Sequence, residues 1–147
     1  MSDIKFSVLG YSESSARIAV KARDFNIIID EPASFGGEDK GPNPVEYLLS
    51  SIVGCLNVTG HLVAEEMGFT IKNLQIKASG SLNPARLFGK ETSDRTGFKG
   101  IDIELLVDAD TDATTLQQWL QKIELRCPVS DNLAHDTPTA LSLKLAE

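Results

Sequence analysis

Cysteine is scarce in this chain: two in 147 residues. That excludes a small disulfide-stapled scaffold, which needs several bridges. Histidine is as rare, with only His61 and His135, so no Ser/His/acid order can be argued. No stretch concentrates Lys and Arg. The balance runs the other way, 14 basic against 21 acidic residues, for a net charge of −7. Nucleic-acid binding depends on neutralising phosphates with basic side chains, and adhesion to anionic membrane surfaces needs the same charges; neither partner is expected. Every apolar run is broken by polar residues before the about 18 positions of a membrane span accumulate. Met1-Ser2-Asp3-Ile4-Lys5 has no signal-peptide core, so the reducing cytoplasm is the expected compartment. Internal repeats, low-complexity tracts and interdomain linkers are missing too, and residues 1–147 are expected to form a single domain.

What is present is a set of periodic segments. Ile4-Lys5-Phe6-Ser7-Val8 alternates apolar and polar, Ala16–Val20 follows, and Phe25-Asn26-Ile27-Ile28-Ile29 is a β-branched run; all three predict strands. Asn43-Pro44-Val45-Glu46 predicts a helix start, with Asn43 as N-cap, Pro44 at the first helical position and Glu46 as the capping-box carboxylate. The helix runs to Met67 before Gly68, roughly 36 Å at about 1.5 Å per residue. It is apolar on most sides, through Leu48, Leu49, Ile52, Val53, Leu56, Leu62 and Val63, and so is expected at the centre of the fold. Strands are predicted around Leu74, Ile76 and Ala78, over Ile101–Val107, and again over Leu141, Leu143 and Leu145. A second helix is capped by Asp112 and extends to Arg126, with a stripe of Leu116, Leu120, Ile123 and Cys127. The order β-β-β-α-β-β-α-β groups strands in runs, which makes the fold class α+β.

The two cysteines, Cys55 inside the central helix and Cys127 after the second, are 72 positions apart. That is neither a CxxC redox motif nor zinc-ligand spacing. One reading makes both small core residues, since each shares an apolar stripe and Cys is often buried. The other makes them reactive, which requires a thiolate. Cys127 precedes Pro128 and can cap a short helix, whose dipole favours the ionised sulfur. Cys55 has no such local help and needs a cation from elsewhere in the fold.

Asp30-Glu31-Pro32, Gly36-Gly37, Gly41-Pro42-Asn43-Pro44 leading through Leu48-Leu49 to Gly54-Cys55, and the later Cys127-Pro128-Val129-Ser130 together resemble the OsmC/Ohr family. The resemblance extends from about Phe25 to the C-terminal strand. It implies an intertwined homodimer around the cysteine-bearing helix, with active sites at the dimer interface. It also implies an antioxidant, stress-response peroxidase that reduces organic hydroperoxides and is recharged by an external dithiol, without cofactor or metal. Cys55 then matches the peroxidatic cysteine and Cys127 the resolving one. The family's arginine near the N-terminus steadies thiolate and peroxide; Arg17 is the nearest match by position, with Arg23 and Arg95 behind it. The family's Glu directly after the proline orients that arginine, but here the position is Val45. Glu46, one residue on, points about 180° away from Cys55 around the helix and is accounted for by its capping role.

The Val45 departure motivates an alternative, a non-catalytic module of the same fold that binds a small hydrophobic ligand at the dimer interface. Other signals are weaker. Asp108-Ala109-Asp110-Thr111-Asp112 imitates half a calcium loop, but Ala113 and Trp119 stand where Gly and Glu are required. Cys55, His61, Cys127 and His135 match no zinc spacing, and Gly36-Gly37 and Gly89-Lys90 lack the phosphate-loop pattern.

Overall fold

The longest element starts where its capping residues place it. Asn43 Oδ1 accepts from the Glu46 N–H at 2.9 Å and Glu46 Oε2 accepts from the Asn43 N–H at 2.8 Å, a reciprocal capping box. Helix α1 then runs Pro44–Met67 and closes at Gly68, whose φ of 80° lies in the left-handed region that glycine enters without a Cβ clash. The computed structural model describes residues 1–146. Contacts divide the chain into two units, residues 1–50 and residue 51 onward.

The first unit is an antiparallel meander of β1 (Leu9–Ser12), β2 (Ile18–Ala22) and β3 (Phe25–Ile29), in that spatial order. A 3-10 turn, Ala33–Phe35, and a loop lead into α1. The Tyr47 hydroxyl ties the first turns of α1 to β3 by donating to the Ile28 carbonyl at 2.8 Å.

The second unit holds the rest of α1, the antiparallel pair β4 (Ile71–Gly80) and β5 (Ile101–Ala109), α2 (Ala113–Arg126) and the short α3 (Pro128–Ala134). Strand alternation turns Leu74, Ile76 and Ala78 of β4 and Ile103, Leu105 and Val107 of β5 onto one apolar core. That core is Ile52, Leu56, Val63 and Ala64 of α1, Phe69, and Trp119, Ile123 and Cys127 from α2 and its end. By length and composition α1 would reach across a bilayer, yet here this stripe is covered by α2. The Trp119 indole N–H donates to the Gly60 carbonyl at 2.8 Å. Its ring lies so close that a Cβ on Gly60 would sit 3.0 Å from it.

The mixed α+β class, α1, β3 and the Asp112 cap, where Oδ1 accepts from the Thr115 N–H at 2.7 Å, stand as the sequence predicts. Two strands do not. The first strand is Leu9–Ser12 rather than residues 4–8, and residues 141–145 carry no regular structure; Leu141, Leu143 and Leu145 are fully exposed. A strand persists only while a neighbour completes its hydrogen-bond ladder, and within one chain neither segment has one. The order among the described residues is therefore β-β-β-α-β-β-α-α. The buried face of α2 also differs from the predicted stripe. Trp119 is its centre, while Leu120 is 40% exposed.

Trp119→Ala is expected to cost about 3–5 kcal/mol, the usual range for emptying a buried aromatic site. Urea unfolding measures it, and a loss under about 1 kcal/mol would show that the α1–α2 contact does not rest on this ring.

Candidate active site

Cys55 occupies the middle of α1 because Leu56 and Ile52 beside it must face the core. Cys127 is placed from the other side. It ends α2, where its N–H donates to the Ile123 carbonyl, and it begins α3 as N-cap. Pro128 follows at the first helical position, where its missing N–H costs nothing. Arg126, one residue earlier, forms a two-pronged ion pair with Glu66 in the last turn of α1. The α2 terminus is thus pinned to α1 by Trp119 on Gly60 and by Arg126 on Glu66.

The result is that two sulfurs 72 residues apart lie 2.9 Å from each other. Both cysteines are free, and the separation exceeds the about 2.05 Å of a disulfide. Cys127 is only 1% exposed, while Cys55 is half-buried.

The two thiols ionise unequally. Burial pushes Cys55 up, contact with Cys127 adds to it, and the Val129 N–H and the Thr59 side chain pull the other way without overcoming them. Burial also pushes on Cys127, but Cys55, the Ser130 side chain and the Ser130 and Val129 N–H groups outweigh it and hold this thiol below its usual value. The Ser130 N–H donates to Cys127 Sγ at 3.4 Å, as the N-cap expectation requires. The directions make Cys127 the more readily ionised of the two, and the pair titrates together.

The arginines are placed as follows. In the first unit Arg17 bridges two carboxylates, Nε to Glu13 at 2.8 Å and Nη1 to Glu38 at 2.9 Å. Glu38 is held from behind. The buried Asp30 carboxylate accepts from the N–H groups of Glu31, Glu38 and Lys40, and Gly37 passes so close that a Cβ would meet the Glu31 carbonyl oxygen at 1.8 Å. Burial pushes the Asp30 carboxyl up, but these three N–H groups and Arg17 prevail, and it sits below its ordinary value. Arg23 lies over the Phe25 ring, 5.0 Å from its centroid, and Arg95 is an exposed loop residue. His61 and His135 are both exposed, and among the described residues no group of three or more His, Cys, Asp or Glu side chains is placed to hold a metal. Thr59, four residues after Cys55 on α1, is buried and belongs to no motif.

Residues 37–142 match the family described as OsmC-like protein. No curated protein matches the chain. Among solved structures, an OsmC-like protein from Mycoplasma pneumoniae superposes with a TM-score of 0.78 at 22% identity, over 90% of this chain and 89% of its own. An organic hydroperoxide resistance protein OsmC from Legionella pneumophila gives 0.65 at 14% identity, over 90% and 91%. One from Elizabethkingia anophelis gives 0.64 at 16%, over 88% of each. At these identities the likeness is one of fold.

Thiolate absorbance followed against pH should rise in two steps, the first below the range of an ordinary cysteine and the second above it, with Cys127→Ser removing the first. One unsplit step at the ordinary value would contradict a proton shared by the pair.

Proposed function

Because the chain belongs to the OsmC-like family, we propose that it is a thiol-dependent peroxidase that reduces organic hydroperoxides to alcohols. The observation that most supports this is the 2.9 Å approach of Cys55 Sγ to Cys127 Sγ. Attack falls to Cys55, the more exposed of the two. Its proton passes to the Cys127 thiolate, 2.9 Å away, and the freed Cys55 sulfur attacks the terminal peroxide oxygen. The O–O bond breaks, the electron pair leaves on the alkoxide, and the alkoxide takes up a proton to become the alcohol. Cys55 is left as a sulfenic acid. Cys127 then attacks the Cys55 sulfur, the S–O bond breaks, water leaves, and the disulfide forms. An external dithiol gives up two electrons and two protons by exchange and restores both thiols. The reading sets this cycle in the cytoplasm, where such dithiols are kept reduced. Arg17 is assigned the support of the peroxide, as in the family pattern.

The same reading takes the working form as a homodimer. Ile4, Phe6 and Val8 and Leu141, Leu143 and Leu145 are two alternating apolar ribbons left exposed, and Leu48, Val58 and Leu62 are exposed on α1. Surfaces of this kind are normally covered, and a second copy supplies both strand edges and a helix face. Sedimentation equilibrium should return twice the chain mass at micromolar concentration; a monomer at that concentration removes the dimer.

A second reading, a non-catalytic module holding a small hydrophobic ligand, is favoured by Val45 at the family's Glu position and by the burial that pushes the Cys55 thiol up. Turnover separates them. Purified protein with a dithiol should consume cumene or tert-butyl hydroperoxide. Cys55→Ser should abolish consumption, and Cys127→Ser should limit it to about one equivalent with sulfenic acid trapped on Cys55. Consumption unchanged by Cys55→Ser excludes the peroxidase, and no consumption together with a co-purified apolar ligand establishes the binding module.

A further inference from the structure

Trp119 fixes the middle of α2 against Gly60, but Cys127 lies eight residues further on. At about 1.5 Å per residue the stretch between them is a lever of about 12 Å. A tilt of about 5° about the Gly60 contact swings its end by about 1 Å. The sulfurs tolerate little of that. They stand 2.9 Å apart and bond at about 2.05 Å, so a displacement of this size decides whether they meet. Ile123, on the lever between, is fully buried, but apolar packing is non-directional and does not by itself fix a tilt.

A directional contact stands at the end of the lever. Arg126, the residue before Cys127, donates through both Nη atoms to the two carboxylate oxygens of Glu66, with Nη2 to Oε1 at 3.0 Å. Glu66 follows Cys55 by eleven residues on the same helix. Eleven residues are three turns, to within about 20° of rotation, so Cys55 and Glu66 share one face of α1. The α2–α3 corner therefore meets that face at two points about 16 Å apart along the helix, a sulfur contact and a two-pronged ion pair. Two points fix a tilt where one leaves a pivot. Both charged side chains are about half exposed, and an exposed pair usually contributes little, but fork-to-carboxylate geometry is the exception.

We propose that Arg126 and Glu66 are positioning residues for closure of the Cys55–Cys127 disulfide. Their ion pair holds the end of α2 so that the sulfurs stay within reach, and so raises the effective concentration of one thiol at the other. Both act through Cys127. The inference rests on the reading of Cys127 as the resolving thiol.

The test uses the whole protein and no hydroperoxide. The chain is equilibrated in buffers of reduced and oxidised glutathione, free thiols are alkylated, and the disulfide fraction is read by mass. In this exchange glutathione disulfide takes two electrons and two protons from Cys55 and Cys127 and becomes two glutathione thiols. The midpoint gives the effective concentration. Glu66→Gln and Arg126→Gln are each expected to lower it about three- to tenfold, a tenfold loss being about 30 mV for this two-electron couple. The double variant is expected to fall no further than either single one. Raising NaCl from about 0.05 M to about 0.5 M should draw the wild-type value towards that of Glu66→Gln, because exposed charges are screened, and should leave Glu66→Gln where it is. Single variants that keep the wild-type midpoint overturn the proposal. So do losses that add in the double variant, or a wild-type midpoint indifferent to salt, which would trace closure to packing alone. Failure of the wild-type protein to consume hydroperoxide would instead remove the peroxidase reading while leaving the glutathione result as it stands.

Discussion

The Trp119 indole laid across Gly60 sets where everything chemical in the second unit can be. Its N–H bonds the Gly60 carbonyl and its ring fills the space a side chain at position 60 would take. Buried aromatics combine a large apolar area with a directional polar tip, so they fix both the distance and the rotation of the element that carries them. With α2 fixed at this point, Ile123 and then Cys127 follow at spacings of four along the same face. The Arg126–Glu66 pair fastens the far end. The sulfur of Cys127 meets that of Cys55 because two helices have been docked at one glycine, and no local loop closure is asked to do it.

Proximity has an electrostatic consequence. Two thiols in contact inside a poorly hydrated corner cannot both ionise cheaply, so the first proton lost and the second belong to the pair. The backbone decides which sulfur carries the first charge. Cys127 receives the Ser130 N–H as a helix cap, and the Ser130 side chain and Val129 N–H add to it. Cys55 is the more exposed of the two. The Thr59 side chain and the Val129 N–H work against the burial that pushes the Cys55 thiol up, without overcoming it. Both are neutral donors, which in a buried site avoid the desolvation cost that a fixed cation would carry.

Much of this was legible along the chain, and the limits have physical reasons. The capping box, the 24-residue helix and the alternation of β4 and β5 are local, and local rules read them. The cap formed by Cys127 was readable from Pro128 for the same reason. The sulfur separation was not, since it depends on Trp119, and an apolar residue on a helix does not announce which of two neighbouring stripes will be buried. Leu120 and Trp119 are adjacent and both apolar, and only the fit against Gly60 separates them. Residues 4–8 and 141–145 have the alternation of strands and none of the ladder; pattern records what a segment can pair with, not whether a neighbour is there to pair.

The first unit bears on the missing glutamate. Val45 cannot orient a guanidinium, yet Arg17 is not left loose: Glu13 and Glu38 take its Nε and Nη1. Glu38 is presented by a loop whose N–H groups converge on one buried carboxylate, Asp30. A carboxylate whose ionised form is favoured by folding stabilises the fold above its unfolded pKa and loses that contribution as pH falls through the lower folded value. Asp30 is such a group, so the loop that presents Glu38 is secure at neutral pH and weakens only in acid. Arg17 is thus held by carboxylates of its own unit.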